Sequence, residues 1–409
     1  MTMLMLSSHP DRSRVLAELH ARPFTAVDTP RRVLHFAFQT SAREAQEDAQ
    51  RVEQLAARCT PVGPRVERRH LSIPTEHLLW ERHGEFVTYT IVVPFEQKAG
   101  WPEHLIPPGR LLVAVDLRLV SEGLRPAAMV QASIADGRAL ISTDFAENAD
   151  GFVDITVIDR NMPPDVAGAT VQRVLETETY RCFALLGLPV AEQAAATMGK
   201  IEDELPSLME KMDAASTLED NRELLDRLTS MTLDLERSSA STHFRFGATK
   251  AYAELVRLRL VALSERPELG GPGLASFLSR RFEPAIRTCA TVSEREATLA
   301  RKLTRAAQLL RTRVEITLES QNRDLLETMG NRVRLQLRLQ QTVEGLSVAA
   351  IAYYVASLFH LVVAGLEPVR ARVEPELLTS VVTIPIIAAV AFAVRRVRRH
   401  HSDADPSLP

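Results

Sequence analysis

Residues 332–364 read RVRLQLRLQQTVEGLSVAAIAYYVASLFHLVVA, a charged opening that becomes wholly uncharged, with no residue in it that ends a helix. From Gly345 to Leu366 there is no Asp, Glu, Lys or Arg. As a helix that run is about 33 Å long, enough to cross a hydrocarbon core. Beyond the next ten residues, Leu377–Val394 (LLTSVVTIPIIAAVAFAV) is a second uncharged run of about 27 Å. These lengths predict a two-helix membrane hairpin, with spans at residues 345–366 and 377–394.

A stripe runs along the first span. Arg332, Gln336, Leu339, Val343, Leu346, Ala350, Tyr353, Ser357, His360 and Ala364 alternate steps of four and three, which puts them on one helix face. The stripe turns polar again at Tyr353, Ser357 and His360, which lipid cannot satisfy. That face therefore looks toward another helix or a water-filled space. Two spans cannot enclose it, so a homo-oligomer is expected. The stripe, extended outward to Glu367, is the candidate pore lining; plain helix packing is its structural alternative.

The basic residues flanking the spans set an expected topology. Arg332, Arg334 and Arg338 precede the first span and Arg395, Arg396, Arg398 and Arg399 follow the second. The connecting loop has only Arg370 and Arg372, among Glu367, Glu374 and Glu376. The positive-inside rule then puts both termini and the large polar part in the cytoplasm, and the spans in a bacterial inner membrane. The opening MTMLMLSSHPDRS has neither a long apolar core nor a basic leader, so no secretory signal is expected. Cys59, Cys182 and Cys289 are far apart and form no C-x-x-C, which fits free thiols in a reducing compartment. A net charge of −3 gives no reason to expect nucleic acid as a partner; the expected partners are the lipid bilayer and further copies of the chain.

Upstream, the hydrophobic period is mostly two from Val33 to Arg160. Strands are expected at Val33–Thr40, Arg65–Ile73, Leu78–His83, Glu85–Val93, Leu111–Val120, Ala127–Ile134, Gly137–Ser142 and Phe152–Asp159. Gly84 and Asp136-Gly137 mark turns. A helix over Ser41–Cys59 opens with a capping box, Ser41 and Glu44. The expected fold class is α+β, a mostly antiparallel sheet with one face covered by helix. From Asp165 the period becomes 3.6. Helices are expected at Asp165–Leu186 (ended by Gly187 and Pro189), Val190–Lys211 (interrupted by Pro206), Thr217–Arg237 and Ser241–Arg266. The breaker PELGGPG, Pro267–Gly273, marks a reversal. Helix is then expected through Pro284, with a fresh start at Ser293, where Glu296 completes a second capping box. From there to Leu366 there is no Pro, so one helix of about 110 Å is expected. It carries a heptad seam of Leu318, Leu325, Arg332, Leu339 and Leu346, with Asn322, Met329, Gln336 and Val343 at the other seam position. The expected organisation is a cytoplasmic domain at 1–188, a helical layer and coiled-coil stalk at 189–344, the hairpin at 345–394 and a basic tail at 395–409. Arg395–His401 would face anionic head groups, and Ser402–Pro409 are expected to be disordered.

Signatures of catalysis are missing: no G-x-G-x-x-G after a strand, Walker A, H-E-x-x-H or G-x-S-x-G occurs. No enzyme is expected. His70, His77 and His83 are close in sequence, and His77, Glu81 and His83 would share a face on one straight strand. That set could supply metal ligands, although its plainer role is the solvent face of a hairpin. Trp80 and Trp101 are expected to pack in the core or at its edge. Glu202-Asp203-Glu204 is expected to be a solvated face, a regulatory cation site being its alternative.

The dense cluster Glu18-Leu19-His20-Ala21-Arg22-Pro23-Phe24, the run Thr342–Val348 (TVEGLSV) and the paired spans resemble an uncharacterised family of bacterial membrane-anchored proteins, a domain of unknown function. The resemblance covers nearly the whole chain and implies a membrane location without an activity. Physically, His20 and Arg22 beside the rigid Pro23 suit an anion or a partner carboxylate, or dock the arm onto its own domain. The order of parts also resembles the CorA-type divalent-cation channels, homopentamers whose first span lines the pore. What that likeness implies is an ion channel or sensor, pentameric as that family is, with a divalent cation as its ligand. The Gly-Met-Asn of that family has no counterpart here, where the chain has Ala364-Gly365-Leu366-Glu367-Pro368.

Overall fold

The structure, a computed structural model, describes residues 9–10, 12, 25–58, 60–61, 68–73, 76–121, 128–267, 272–365 and 375–402. By their contacts the residues fall into two units, Met1–Ser216 with Arg222–Leu310, and Thr217–Asn221 with Arg311–Pro409.

The first unit is built on one mixed sheet. Its strands are β1 (Arg31–Gln39), β2 (Thr60–Pro61), β3 (Arg68–Ile73), β4 (Glu76–Arg82), β5 (Phe86–Val93), β6 (Arg110–Ser121), β7 (Val130–Ile134), β8 (Ala139–Glu147), β9 (Val153–Asp159) and β10 (Arg266–Pro267). Their order is β10-β7-β8-β9-β6-β1-β5-β4-β3-β2. Neighbours run antiparallel except β6 and β9, which are parallel. The Gly84 turn closes with His83 N–H donating to Phe86 O at 2.9 Å. At the second turn Asp136 and Gly137 take φ of +57° and +92°.

Both faces of this sheet are covered, a correction to the single covered face expected from the alternation. Leu34, Phe36 and Phe38 of β1 pack with Ala45 and Val52 of α1 (Ala42–Arg58). Val33 and Ala37 pack on the opposite face with Ala167, Val171 and Val174 of α2 (Pro164–Leu185). The central strand is buried from Val33 to Phe38, so its alternation does not separate core from solvent. The α1 capping box forms as expected: Ser41 N–H donates to Glu44 Oε2 at 2.7 Å and Glu44 N–H to Ser41 Oγ at 3.3 Å.

Helices continue through several expected breaks. Only Leu186 separates α2 from α3 (Gly187–Ala214), and it keeps helical angles. Gly187 serves packing there, since a Cβ on it would lie 2.3 Å from Thr249 Oγ1. Pro206 sits inside α3. Instead of two helices meeting at Ser241, one helix α4 spans Leu218–Ala262. The Ser241 hydroxyl bonds back along the helix to Ser238 O at 2.7 Å, so it caps nothing. Helix α5 runs unbroken over Leu274–Gly365, with Pro284 inside it. No fresh start occurs at Ser293. Glu296 turns inward and accepts from Thr242 Oγ1 at 3.2 Å, burial raising its pKa. The last helix, α6, spans Pro375–Ser402, and residues 403–409 lie outside the described residues.

Heptad spacing builds a second core in this unit, from Met198 and Ile201 of α3, Leu228 and Leu235 of α4, and Leu299 and Leu303 of α5. Glu202 and Glu204 are ion-paired across it, to Arg295 and Arg227.

Gly168 of α2 carries the first prediction. The segment before β1 crosses it, Val27 N–H donating to Pro164 O at 2.9 Å, and a Cβ on Gly168 would lie 1.8 Å from Thr25 O. Gly168→Ala should destabilise the sheet unit by about 1–3 kcal/mol, although alanine is the better helix former by about 1 kcal/mol. A lowered urea midpoint checks it; an unchanged or raised one refutes the close approach.

Candidate functional site

The uncharged end of α5 shares an open groove of about 620 Å³ with α6. Gly345, Ala349, Ala352 and Ala356 line it at spacings of three and four, small enough to bring two helices close. Tyr353, Ser357 and His360 of the polar stripe line it too, opposite Thr383 and Ile387. The structure thus brings together three of the sequence-derived stripe residues. Arg332, Gln336, Leu339, Val343, Leu346 and Ala350 are exposed along α5, and Glu367 lies outside the described residues. An imidazole, a phenol and two hydroxyls on one groove offer exchangeable polar ligands between otherwise apolar walls.

The sheet unit has a second concave site, a small cavity of about 50 Å³ between β1, β4, β5 and α2. His35, His77, Glu81, Thr90, Gln172 and Glu176 are among its lining residues. His35 comes from the middle of β1 and is fully enclosed. Thr179 Oγ1 donates to Leu175 O at 2.9 Å, so it accepts from His35 Nε2–H, also at 2.9 Å. That leaves Nδ1 to accept from Thr90 Oγ1 at 2.8 Å, a neutral imidazole with both nitrogens satisfied. Burial, helped by the charge of His83, pushes its pKa down to about 3. Glu176 at the rim is ion-paired with Arg259. His77 and Glu81 share this cavity, whereas His83 stacks on Phe86 beyond the end of β4. The expected single face of His77, Glu81 and His83 is therefore divided, because His83 belongs to the turn. Among the described residues no three of His, Cys, Asp and Glu converge on a metal position.

On the other face Asp48 of α1 holds an aromatic cluster. Its carboxylate accepts from Trp80 Nε1 at 2.8 Å and from the Tyr89 hydroxyl at 2.8 Å. Trp101 packs edge-on against Phe36, Phe38 and Tyr89, so Trp80 lies in the core and Trp101 is half-buried at its edge, as expected. Cys182 and Cys289 are free thiols, and burial, the largest cause, pushes Cys182 up to about 12, leaving it unreactive.

A family model described as "Protein of unknown function (DUF3422)" matches residues 7–401, nearly the whole chain. The chain belongs to that family. Nothing matched among the curated proteins. Of the runs behind the family resemblance, Thr342–Val348 lies within α5, while Glu18, His20, Arg22 and Pro23 lie outside the described residues. In this member of the family two buried polar groups, His35 and Asp48, escaped sequence reading. One polar residue inside VLHFAF, or on an otherwise polar helix such as α1, carries no local sign that its partners come from distant elements.

Proposed function

We propose that this protein is a CorA-like homo-oligomer of the bacterial inner membrane that conducts or senses an ion without a Gly-Met-Asn filter. In this reading α5 and α6 form the two-span hairpin, both termini are cytoplasmic, and Tyr353, Ser357 and His360 face the ion path. The observation that carries it is the surface of α5. Leu325, Leu326, Met329, Val333, Leu335, Leu337, Leu339, Val343 and Leu346 are each more than half exposed. At about 100° per residue they cover more than half of the helix circumference. Asp324, Glu327, Asn331, Arg334, Arg338 and Gln341 occupy the remainder, while Arg332, Gln336 and Gln340 interrupt the arc. A two-stranded coiled coil buries only a narrow seam, so an arc this broad suits a helix with neighbours on both sides. Farther along, Tyr354, Leu358 and Leu361 are more than two-thirds exposed on an uncharged helix, a surface suited to lipid and to neighbouring copies. By contrast α2 and α3, also long and apolar, are core helices of the sheet unit.

The test has two parts. Leu335→Glu and Leu337→Glu should break the oligomer of the purified protein into protomers by light scattering, while Arg334→Glu leaves it intact. In liposomes, with Mg²⁺, Ni²⁺, K⁺ and Cl⁻ offered in turn, Ser357→Leu and His360→Leu should alter flux and Leu358→Ala and Val362→Ala should not. A stable solitary protomer, or equal behaviour of both sets, overturns the channel. Intact oligomers without flux of any ion would favour the second reading, a membrane-anchored scaffold or sensor whose sheet unit binds a partner.

A further inference from the structure

Among the described residues the buried carboxylates are Asp48, Glu85, Asp116, Glu178 and Glu296. The first four are each paired with an arginine, respectively Arg51, Arg245, Arg32 and Arg181. Glu296 of α5 has no ion pair among the described residues, although it is only 7 % exposed. It sits beside the second core, with Val292 and Leu299 of that core one turn before and after it. Its Oε1 is enclosed and meets no hydrogen-bond partner. Its Oε2 lies 3.2 Å from Thr242 Oγ1 of α4, a buried hydroxyl that also lies 3.1 Å from Ser239 O. The charged groups facing it from α4 are Glu236, which opposes a charge on Glu296, and His243, which favours one, as the Ser238 hydroxyl does. Arg295, its neighbour on α5, is turned to Glu202 and Asp203 of α3.

Thr242 has one hydroxyl proton and two acceptors within reach, so the state of Glu296 decides where that proton goes. With the carboxylate ionised, Thr242 donates to Oε2, and a charge with one unpaired oxygen stays buried between two helices, the costliest kind of buried group. With a proton on Oε2, Glu296 donates to Thr242 Oγ1 and Thr242 donates to Ser239 O. One added proton then completes both bonds and cancels the charge, leaving Oε1 a neutral carbonyl oxygen. A metal ion would need several converging oxygens, and among the described residues no three of His, Cys, Asp and Glu converge. We propose that Glu296 is a proton-sensing contact between α4 and α5, closed while the acid holds its proton and loosened when it ionises. Burial, the largest influence on it, raises its pKa above the ordinary 4.5, the direction this relay requires. The stabilising effect of the proton is complete below 4.5 and is lost as the pH rises through the higher folded value. The helix held by this contact is the one, Leu274–Gly365, that also carries the uncharged run. The proposal stands independently of the membrane reading, since Thr242 and Glu296 both belong to the sheet unit.

The experiment compares the full-length protein with Glu296→Gln, which keeps the size and the hydrogen bonding but does not titrate. Infrared difference spectra of the two over a pH series should show the carbonyl stretch of a protonated carboxylic acid in the wild type alone, with a midpoint above 4.5. Hydrogen exchange, corrected for the intrinsic pH dependence of amide exchange, reads the contact itself. Above that midpoint, protection of peptides covering 236–246 and 290–300 should fall in the wild type by up to about tenfold per pH unit. In Glu296→Gln it should not change with pH. Glu296→Met, close in size and equally unable to titrate, supplies the same two comparisons if the glutamine variant does not fold. A midpoint at or below 4.5, or wild-type protection no more pH-dependent than the variant's, overturns the proposal. A wild-type loss shared equally by peptides of β1 and α2 marks global unfolding and overturns it too.

Discussion

Lowering the pH from 7 to 4 should remove about 3 kcal/mol of stability from the sheet unit through His35 alone. Burial pushes this imidazole down to about 3, against 6.5 for the unfolded chain. Below pH 6.5 the unfolded chain takes up a proton that the folded chain refuses until about pH 3. The stabilising contribution is therefore complete above 6.5 and is lost steadily as the pH falls, by about 1.4 kcal/mol per unit. Burial gives this shift its structural cause. Nδ1 accepts from Thr90 and Nε2 donates to Thr179, and protonating the ring would place a charge in a closed site. Carboxylates with depressed pKa values respond only near and below their ordinary values, 3.8 for Asp116 beside Arg32 and Arg118 and 4.5 for Glu202, Glu204 and Glu283. Asp48 and Glu296, whose pKa values burial raises, act in the opposite sense and gain stability on acidification. A loss between pH 6.5 and 5 is therefore the histidine's. Trp80 and Trp101 are the chain's two tryptophans and both lie in the sheet unit, so urea unfolding followed by their fluorescence reads this unit directly. The wild-type midpoint should fall steeply across that interval. His35→Asn, which keeps a donor and an acceptor but does not titrate, should flatten the slope while lowering stability at pH 7. An equal slope in both proteins would refute the assignment.

Much of the fold was legible because local rules fixed it. The period-two run from Val33, the Ser41–Glu44 box and the turns at Gly84 and Asp136-Gly137 each depend on residues within a few positions, and each formed. Failures came where a local signal was overridden at a distance. Gly187 and Pro189 read as a helix end, yet Gly187 is there so that α2 and α3 can approach Thr249 and Cys289. Ser293 and Glu296 have the spacing of a box, but Glu296 is drawn inward to Thr242, fifty-four residues earlier. The double cover of the sheet was hidden because β1 is buried on both faces, which erases the alternation a half-exposed strand would display. For the candidate site, heptad arithmetic found Tyr353, Ser357 and His360, since helical periodicity alone places them together. The breadth of the apolar arc on α5 was harder to read. Valine and leucine alternate with Arg and Gln through Val333–Leu339, a period-two pattern that a helix spreads around its circumference.

The largest single-residue loss should come from Asp48→Leu, at about 3–5 kcal/mol. The indole of Trp80 and the hydroxyl of Tyr89 are each 2 % exposed as residues and both donate to this one carboxylate. Leucine would leave two buried donors unsatisfied, each costing about 1–3 kcal/mol. Arg51, which reaches the same carboxylate at 3.3 Å, would lose its partner too, although its exposure makes that a minor part. Asp48→Asn separates the charge from the hydrogen bonds. Burial outweighs the donors and raises the Asp48 pKa above its ordinary value, so the charged form is the disfavoured one. Its contribution to stability is complete below the unfolded pKa of 3.8 and declines as the pH rises through the folded value. Asparagine keeps an acceptor and removes that decline, so its cost at pH 7 should be well below that of leucine. The same fluorescence-detected unfolding, repeated with Tyr89→Phe in a double-mutant cycle, checks it. Equal stability of the Asp48→Leu and Asp48→Asn proteins, or no coupling between positions 48 and 89, would mean that shape alone holds this cluster and the carboxylate does not.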